Sequence, residues 1–148
     1  MIGRRRMLRL VAGAGVAAVL APLPVRATPE EVRALIGALA GEGPVTRARV
    51  RLDLPLLVEN GNAVAMTVAV DAPLAGPERV EAIHVFAEAN PLPDVARFEF
   101  GPAAGRPMVS TRIRLATSQT VVAVARTADG RLWSDEVELL VTLAACLE

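Results

Sequence analysis

Cys146 is the one cysteine of the chain and its most reactive side chain. A thiol can form a disulfide, carry a sulfur substituent or ligate metal, and its thiolate is the nucleophilic form. It stands two residues before the last residue of the sequence, just beyond an alternating segment that reads as a final strand. Chain ends are loosely held unless tied down, so the thiol is not expected in the core. A lone cysteine is a weak motif, and spacing alone leaves open whether it is functional or incidental. The single histidine, His84, lies in Ile83-His84-Val85-Phe86 and on a strand points away from Ile83 and Val85. It can meet a partner surface or sit hydrogen-bonded at the sheet. A Cys-His or Ser-His-Asp constellation needs the base within hydrogen-bond reach of the nucleophile. A mid-sheet histidine and a cysteine on a trailing arm do not meet that need. No Cys/His cluster has metal-ligand spacing, and no glycine-rich phosphate loop appears. No cofactor is expected.

The elements that would carry these residues read clearly. Residues 1–27 have the layout of an export signal: a basic start (Arg4-Arg5-Arg6-Met7-Leu8-Arg9), an apolar stretch from Leu10 to Ala21 and a small-x-small end at Val25-Arg26-Ala27. The apolar run is too short for a comfortable membrane span. Arg4-Arg5-x-Met7-Leu8-Arg9 resembles a twin-arginine signal, which predicts a periplasmic protein beginning at Thr28. Removal of residues 1–27 leaves 11 Arg against 16 acidic residues, a formal charge near −5, which argues against a nucleic-acid partner.

The remaining chain, residues 28–148, reads as one domain. A short helix opens it, with Thr28 as N-cap, Pro29 at the first position and Glu31 completing a capping box. Val32, Leu35, Ile36 and Leu39 form its expected buried stripe, and Gly41 and Gly43-Pro44 end it. From Arg47 the period becomes two. Strands are expected over Arg47–Leu52, Leu56–Val58, Val64–Val70, Val80–Ala87, Ala96–Phe100, Val109–Leu115, Gln119–Arg126 and Glu136–Leu143. Asn60-Gly61 is read as a hairpin turn and Asp129-Gly130 as a tight turn. About seven or eight short strands with frequent turn signals predict an all-β, immunoglobulin-like antiparallel sandwich behind a short N-terminal helix. Trp133 is expected to pack on the sandwich, and the Asp135-Glu136-x-Glu138 charges to form a solvated face that can steer docking.

Several stretches resemble a known family in order and spacing. They are Val58-Glu59-Asn60-Gly61-Asn62, Ile83-His84-Val85-Phe86-Ala87-Glu88-x-Asn90-Pro91 and Val95-Ala96-x-Phe98-x-Phe100. Ser110-Thr111-Arg112-Ile113-Arg114-Leu115-Ala116, Gln119-Thr120-Val121-Val122-Ala123-Val124-Ala125 and Asp129-Gly130-x-x-Trp133-Ser134-Asp135-Glu136-Val137 follow. From about Thr28 onward the chain resembles SoxY, the sulfur-carrier subunit of the bacterial thiosulfate-oxidising (Sox) system. The resemblance implies a non-enzymatic carrier that holds sulfur intermediates on Cys146 and pairs with a SoxZ-like β-sandwich subunit. It also implies transient docking to a SoxAX-like haem enzyme, a SoxB-like hydrolase and a sulfane dehydrogenase. Family members typically end Gly-Gly-Cys-Gly-Gly, whereas this chain ends Ala144-Ala145-Cys146-Leu147-Glu148. Alanine removes the positive-φ freedom of glycine, Leu147 is wide, and Glu148 adds charge beside a terminal carboxylate. The two carboxylates disfavour the Cys146 thiolate. The altered tail keeps a second reading open, an adaptor or divergent paralogue that retains the partner interface without carrying sulfur.

Overall fold

The computed structural model describes residues 26–142; residues 1–25 of the expected signal and 143–148 of the expected arm lie outside it. Helix α1 spans Pro29–Ala40 with the predicted cap. The Thr28 hydroxyl accepts from Glu31 N–H at 3.2 Å, and the Glu31 carboxylate accepts from Thr28 N–H at 2.9 Å. Gly41, at φ 58°, ends the helix in a conformation that costs glycine least. Val32 is buried and Ile36, Leu39 and Ala40 pack beside it, but Leu35 is 38% exposed. The expected four-residue stripe is therefore narrower, because the helix meets one flat sheet face and Leu35 falls beside the contact.

Nine strands follow among the described residues: β1 Val45–Thr46, β2 Val50–Asp53, β3 Leu57–Val58, β4 Val64–Val70, β5 Val80–Ala87, β6 Asp94–Glu99, β7 Met108–Ile113, β8 Gln119–Thr127 and β9 Leu132–Val141. They form two sheets. The larger has the order β1-β9-β8-β5-β6, with β3 also pairing β9; the smaller is β2-β4-β7. The main ladders are antiparallel, whereas β1 and β3 each add a two-residue parallel pairing to opposite ends of β9.

The sandwich core lies between the sheets. Val64, Met66, Val68 and Val70 project from β4 toward Ile83, Val85, Val121, Ala123 and Leu139 of the larger sheet. Every second residue of these strands is apolar, as a two-sided sheet with one buried face requires. β5 and β8 are buried on both faces because α1 lies on the outside of the larger sheet, where Val32 packs with Phe86, Val122, Val124 and Leu132. Ala27, just before the helix, is buried and donates its N–H to the Asn90 carbonyl at 2.8 Å.

Two sequence expectations change. The run Arg47–Leu52 is not one strand. It leaves the larger sheet after Thr46 and joins the smaller at Val50, turning at Arg49, whose φ is 61°. The Arg49 guanidinium lies 4.4 Å from the Trp133 ring centroid and contacts Glu78 at 3.4 Å. Cation–π attraction and an ion pair offset the strain of a positive φ. Trp133 packs against the sandwich core as expected. The Asn60-Gly61 turn, in turn, does not close a hairpin. β3 pairs β9 while β4 pairs β2 and β7. The Asn60 side chain accepts from Asn62 N–H at 2.9 Å, and the Gly61 carbonyl accepts from Leu115 N–H. That Asx-type turn bends the chain from one sheet to the other, so the strands it joins are not neighbours. The Asp129-Gly130 turn between β8 and β9 forms as read, with Gly130 at φ 84°. The Thr127 hydroxyl and then the Arg131 N–H hold the Asp129 carboxyl below its ordinary range.

Candidate carrier-arm site

Cys146 and its neighbours Ala144, Ala145, Leu147 and Glu148 lie outside the described residues. The structure does describe the base from which they extend. β9 is held at its far end by two separate elements. On one side, the Leu56 carbonyl just before β3 accepts from Leu140 N–H and the Val58 carbonyl of β3 accepts from Thr142 N–H, both at 2.9 Å. On the other, the Ser118 hydroxyl accepts from Val141 N–H at 2.9 Å. The Thr142 hydroxyl also reaches the Val58 and Glu59 carbonyls at 3.4 Å. Thr142 is therefore a fixed root. Four residues further on stands Cys146, and a segment of that length spans at most about 14 Å.

Ser118 is positioned by a buried polar network. Asn90 is 6% exposed and Gln119 7% exposed. Asn90 Oδ1 accepts from Ala116 N–H and from Gln119 Nε2, both at 2.9 Å, and Asn90 Nδ2 donates to the Arg114 carbonyl at 2.9 Å. Gln119 Oε1 accepts from Ala89 N–H, and Gln119 Nε2 also reaches the Thr117 carbonyl. The network ties the β5–β6 loop to the β7–β8 connection that carries Ser118. The sequence singled out Asn90 only as part of the family-like stretch that ends Asn90-Pro91, with no sign of its buried bonds.

The acidic run on β9 divides by face. Glu136 is exposed and pairs Arg47 at 2.7 Å, and Glu138 is exposed. Asp135 is partly buried, and its carboxylate accepts from Leu52 N–H at 2.9 Å and lies 3.8 Å from Arg47. The expected solvated face thus loses Asp135, which bonds the two sheets where the chain switches between them.

His84 is 5% exposed on the helix-bearing face of the larger sheet, its ring stacked on Phe86 with centroids 6.1 Å apart. Its Nε2 is buried without a hydrogen-bond partner. Burial pushes its pKa below the ordinary histidine value, and Arg97 adds to the shift. Of the roles left open for it, hydrogen bonding at the sheet is not made by Nε2, and the ring packs against Phe86. Its strand is separated from β3 by both β9 and β8, which sets the ring apart from the arm's root. Among the described residues no group of three or more His, Cys, Asp and Glu side chains is placed to hold a metal, and no helix is long and apolar enough to cross a membrane.

The family model for the sulfur oxidation protein SoxY matches residues 36–146, a span that runs through both sheets and ends on Cys146. The chain belongs to the SoxY family. The sulfur carrier protein SoxY of Chlorobium limicola f thiosulfatophilum is 30% identical, with a TM-score of 0.64 over 77% of this chain and 98% of that one. A superoxide reductase (neelaredoxin) of Ignicoccus hospitalis superimposes with a TM-score of 0.57 at 19% identity over 77% and 92% of the two chains. A superoxide reductase of Nanoarchaeum equitans does so at 0.53 and 16% over 65% and 100%. At those identities the two reductases share the sandwich and carry no argument about activity. No curated protein sequence matches the chain. SoxY membership and the likeness to a SoxY structure support a sulfur-carrier role within the Sox system.

Proposed function

We propose that this SoxY protein holds sulfur intermediates covalently on Cys146 during the oxidation of thiosulfate or a related sulfur compound. The observation that carries this reading is the family match, which extends through β9 and reaches Cys146, four residues beyond a root fixed from both sides. A carrier needs that combination: a firm domain, a short arm and one soft nucleophile. Joining the thiol to the sulfane sulfur of thiosulfate forms an S–S bond and releases two electrons and the thiol proton to a SoxAX-like haem enzyme. Hydrolysis by a SoxB-like enzyme then adds water, frees sulfate and a proton, and leaves a persulfide on Cys146 for a sulfane dehydrogenase. The carrier works in the periplasm, exported by its Arg4-Arg5 signal, as a heterodimer with a SoxZ-like subunit.

The test is the intact mass of the protein taken from periplasm of cells grown on thiosulfate, with and without reductant. A reductant-labile adduct of sulfur atoms or thiosulfonate, abolished by Cys146→Ala, is expected. A second reading, an adaptor that keeps the interface alone, is favoured by the replacement of all four tail glycines with Ala144, Ala145, Leu147 and Glu148. Unmodified Cys146 beside a modified ordinary carrier in the same cells, with thiosulfate oxidation unimpaired by Cys146→Ala, selects it.

A further inference from the structure

The root of the arm is flanked by an apolar patch that the fold leaves uncovered. Leu56, Leu57 and Leu140 are 69%, 60% and 60% exposed. Leu57 stands directly opposite Leu140 in the parallel β3–β9 pairing, and Leu56 bonds Leu140 through its carbonyl. The patch occupies an outer edge of the larger sheet, where β3 pairs only β9 among the described residues. Exposed apolar side chains on an open edge are a liability that folded proteins blunt with charge, bulges or a cover. Here the charges stand around the leucines: Glu59 follows β3, Glu138 precedes Leu140 on β9, and neither has an ion pair among the described residues. An apolar centre with a charged rim is the anatomy of a transient protein interface.

We propose that this patch is where the enzyme that loads Cys146 docks, a protein with an apolar rim and basic surroundings at the mouth of its active site. The inference rests on the carrier reading above. Its argument is the length of chain beyond Thr142. Cys146 lies within about 14 Å of the root, so an enzyme that takes the thiol into its own site must close against the surface from which Thr142 emerges. The Leu56–Leu57–Leu140 patch borders that surface, since Leu140 and Thr142 donate to the Leu56 and Val58 carbonyls on either side of Leu57. Seating there removes leucine from water only while the arm is engaged. The unpaired Glu59 and Glu138 favour a basic approach and disfavour an acidic one.

The experiment compares Leu57→Glu and Leu140→Glu with a charge-matched control, Met108→Glu, at a 50% exposed apolar site on the smaller sheet. Each full-length protein is recovered from cells grown on thiosulfate, and the fraction of Cys146 carrying sulfur is read by intact mass. The purified reduced protein is separately treated with tetrathionate, whose attack by the Cys146 thiolate forms the same thiosulfonate adduct and releases thiosulfate without any docking. The expected result is a loss of cellular loading of about tenfold or more in the two leucine variants, the order set by one buried leucine. Met108→Glu loads normally, and tetrathionate loads all forms alike. Leucine variants loaded as fully as the native protein in cells overturn the proposal. A native protein that is never loaded in cells but reacts with tetrathionate removes the carrier reading itself, and the docking assignment with it. Should Leu57→Glu lower the urea midpoint, Leu57→Ser, which adds no charge, decides by the same loading ratio.

Discussion

Replacing Asn90 by alanine tests how the arm's root is held. The side chain makes three bonds of 2.9 Å, to Arg114 O, Ala116 N and Gln119 Nε2, at a site 6% exposed. Gln119 Nε2 keeps its bond to the Thr117 carbonyl, so it is weakened rather than orphaned. Ala116 N–H and Arg114 C=O have no substitute partner. A buried group stripped of its partner costs roughly 1–3 kcal/mol, and water entering the vacated space recovers part of that. The expected loss is therefore about 2–4 kcal/mol, a large share of a small domain's stability. With a urea dependence of about 1.5 kcal/mol per molar, the midpoint falls by about 1.3–2.7 M. Chemical denaturation followed by Trp133 fluorescence gives the number. Because the β7–β8 connection that Asn90 bonds also carries Ser118, amide exchange at Val141 and Thr142 should accelerate more than exchange in the middle of β4. A loss below about 0.5 kcal/mol, or uniform acceleration across both sheets, refutes the claim that this network positions the root. Asn90→Asp keeps both acceptor bonds but loses the donor to Arg114 O. Its stability should recover as pH falls and the carboxyl regains a proton to donate.

The remaining predictions concern other parts of the fold. His84 has a folded-state pKa below its unfolded value, so the unfolded chain binds the proton more readily; stability falls as pH drops through the unfolded value near 6.5 toward the lower folded one. His84→Gln should flatten that part of the stability–pH curve, measured by urea midpoints at pH 7.5 and 5. Asp135→Ala strips the Leu52 N–H of its partner and should cost about 1–3 kcal/mol, with Asp135→Asn costing less because its amide oxygen still accepts. Thr28→Ala removes a cap that closes both ways with Glu31 and should cost about 1 kcal/mol in thermal or chemical unfolding.

Much of this architecture was legible in the residues. Thr28, Pro29, Glu31 and Gly41 bound the helix because capping uses groups within four residues of one another. The alternation of Val64, Met66, Val68 and Val70 identified a buried face, and Gly130 a turn needing positive φ. The SoxY motifs, read in order, named the family that the match over 36–146 establishes. Cys146 was the sequence's own candidate for chemistry, and the described residues supply only the base from which it extends.

What the residues left undecided was which strand neighbours which. A period of two records which face is buried and is the same for any partner, so Arg47–Leu52 looked like one strand until Arg49 turned it between sheets. Asn60-Gly61 read as a hairpin because turn chemistry is local, whereas β3's pairing with β9 joins residues more than eighty positions apart. For the same reason Leu35 looked buried, and the expected Leu56–Val58 strand carried no sign of which residues it would leave in water. Only the packed sheets decide that the helix misses Leu35 and that the edge beside Thr142 leaves Leu56 and Leu57 facing water.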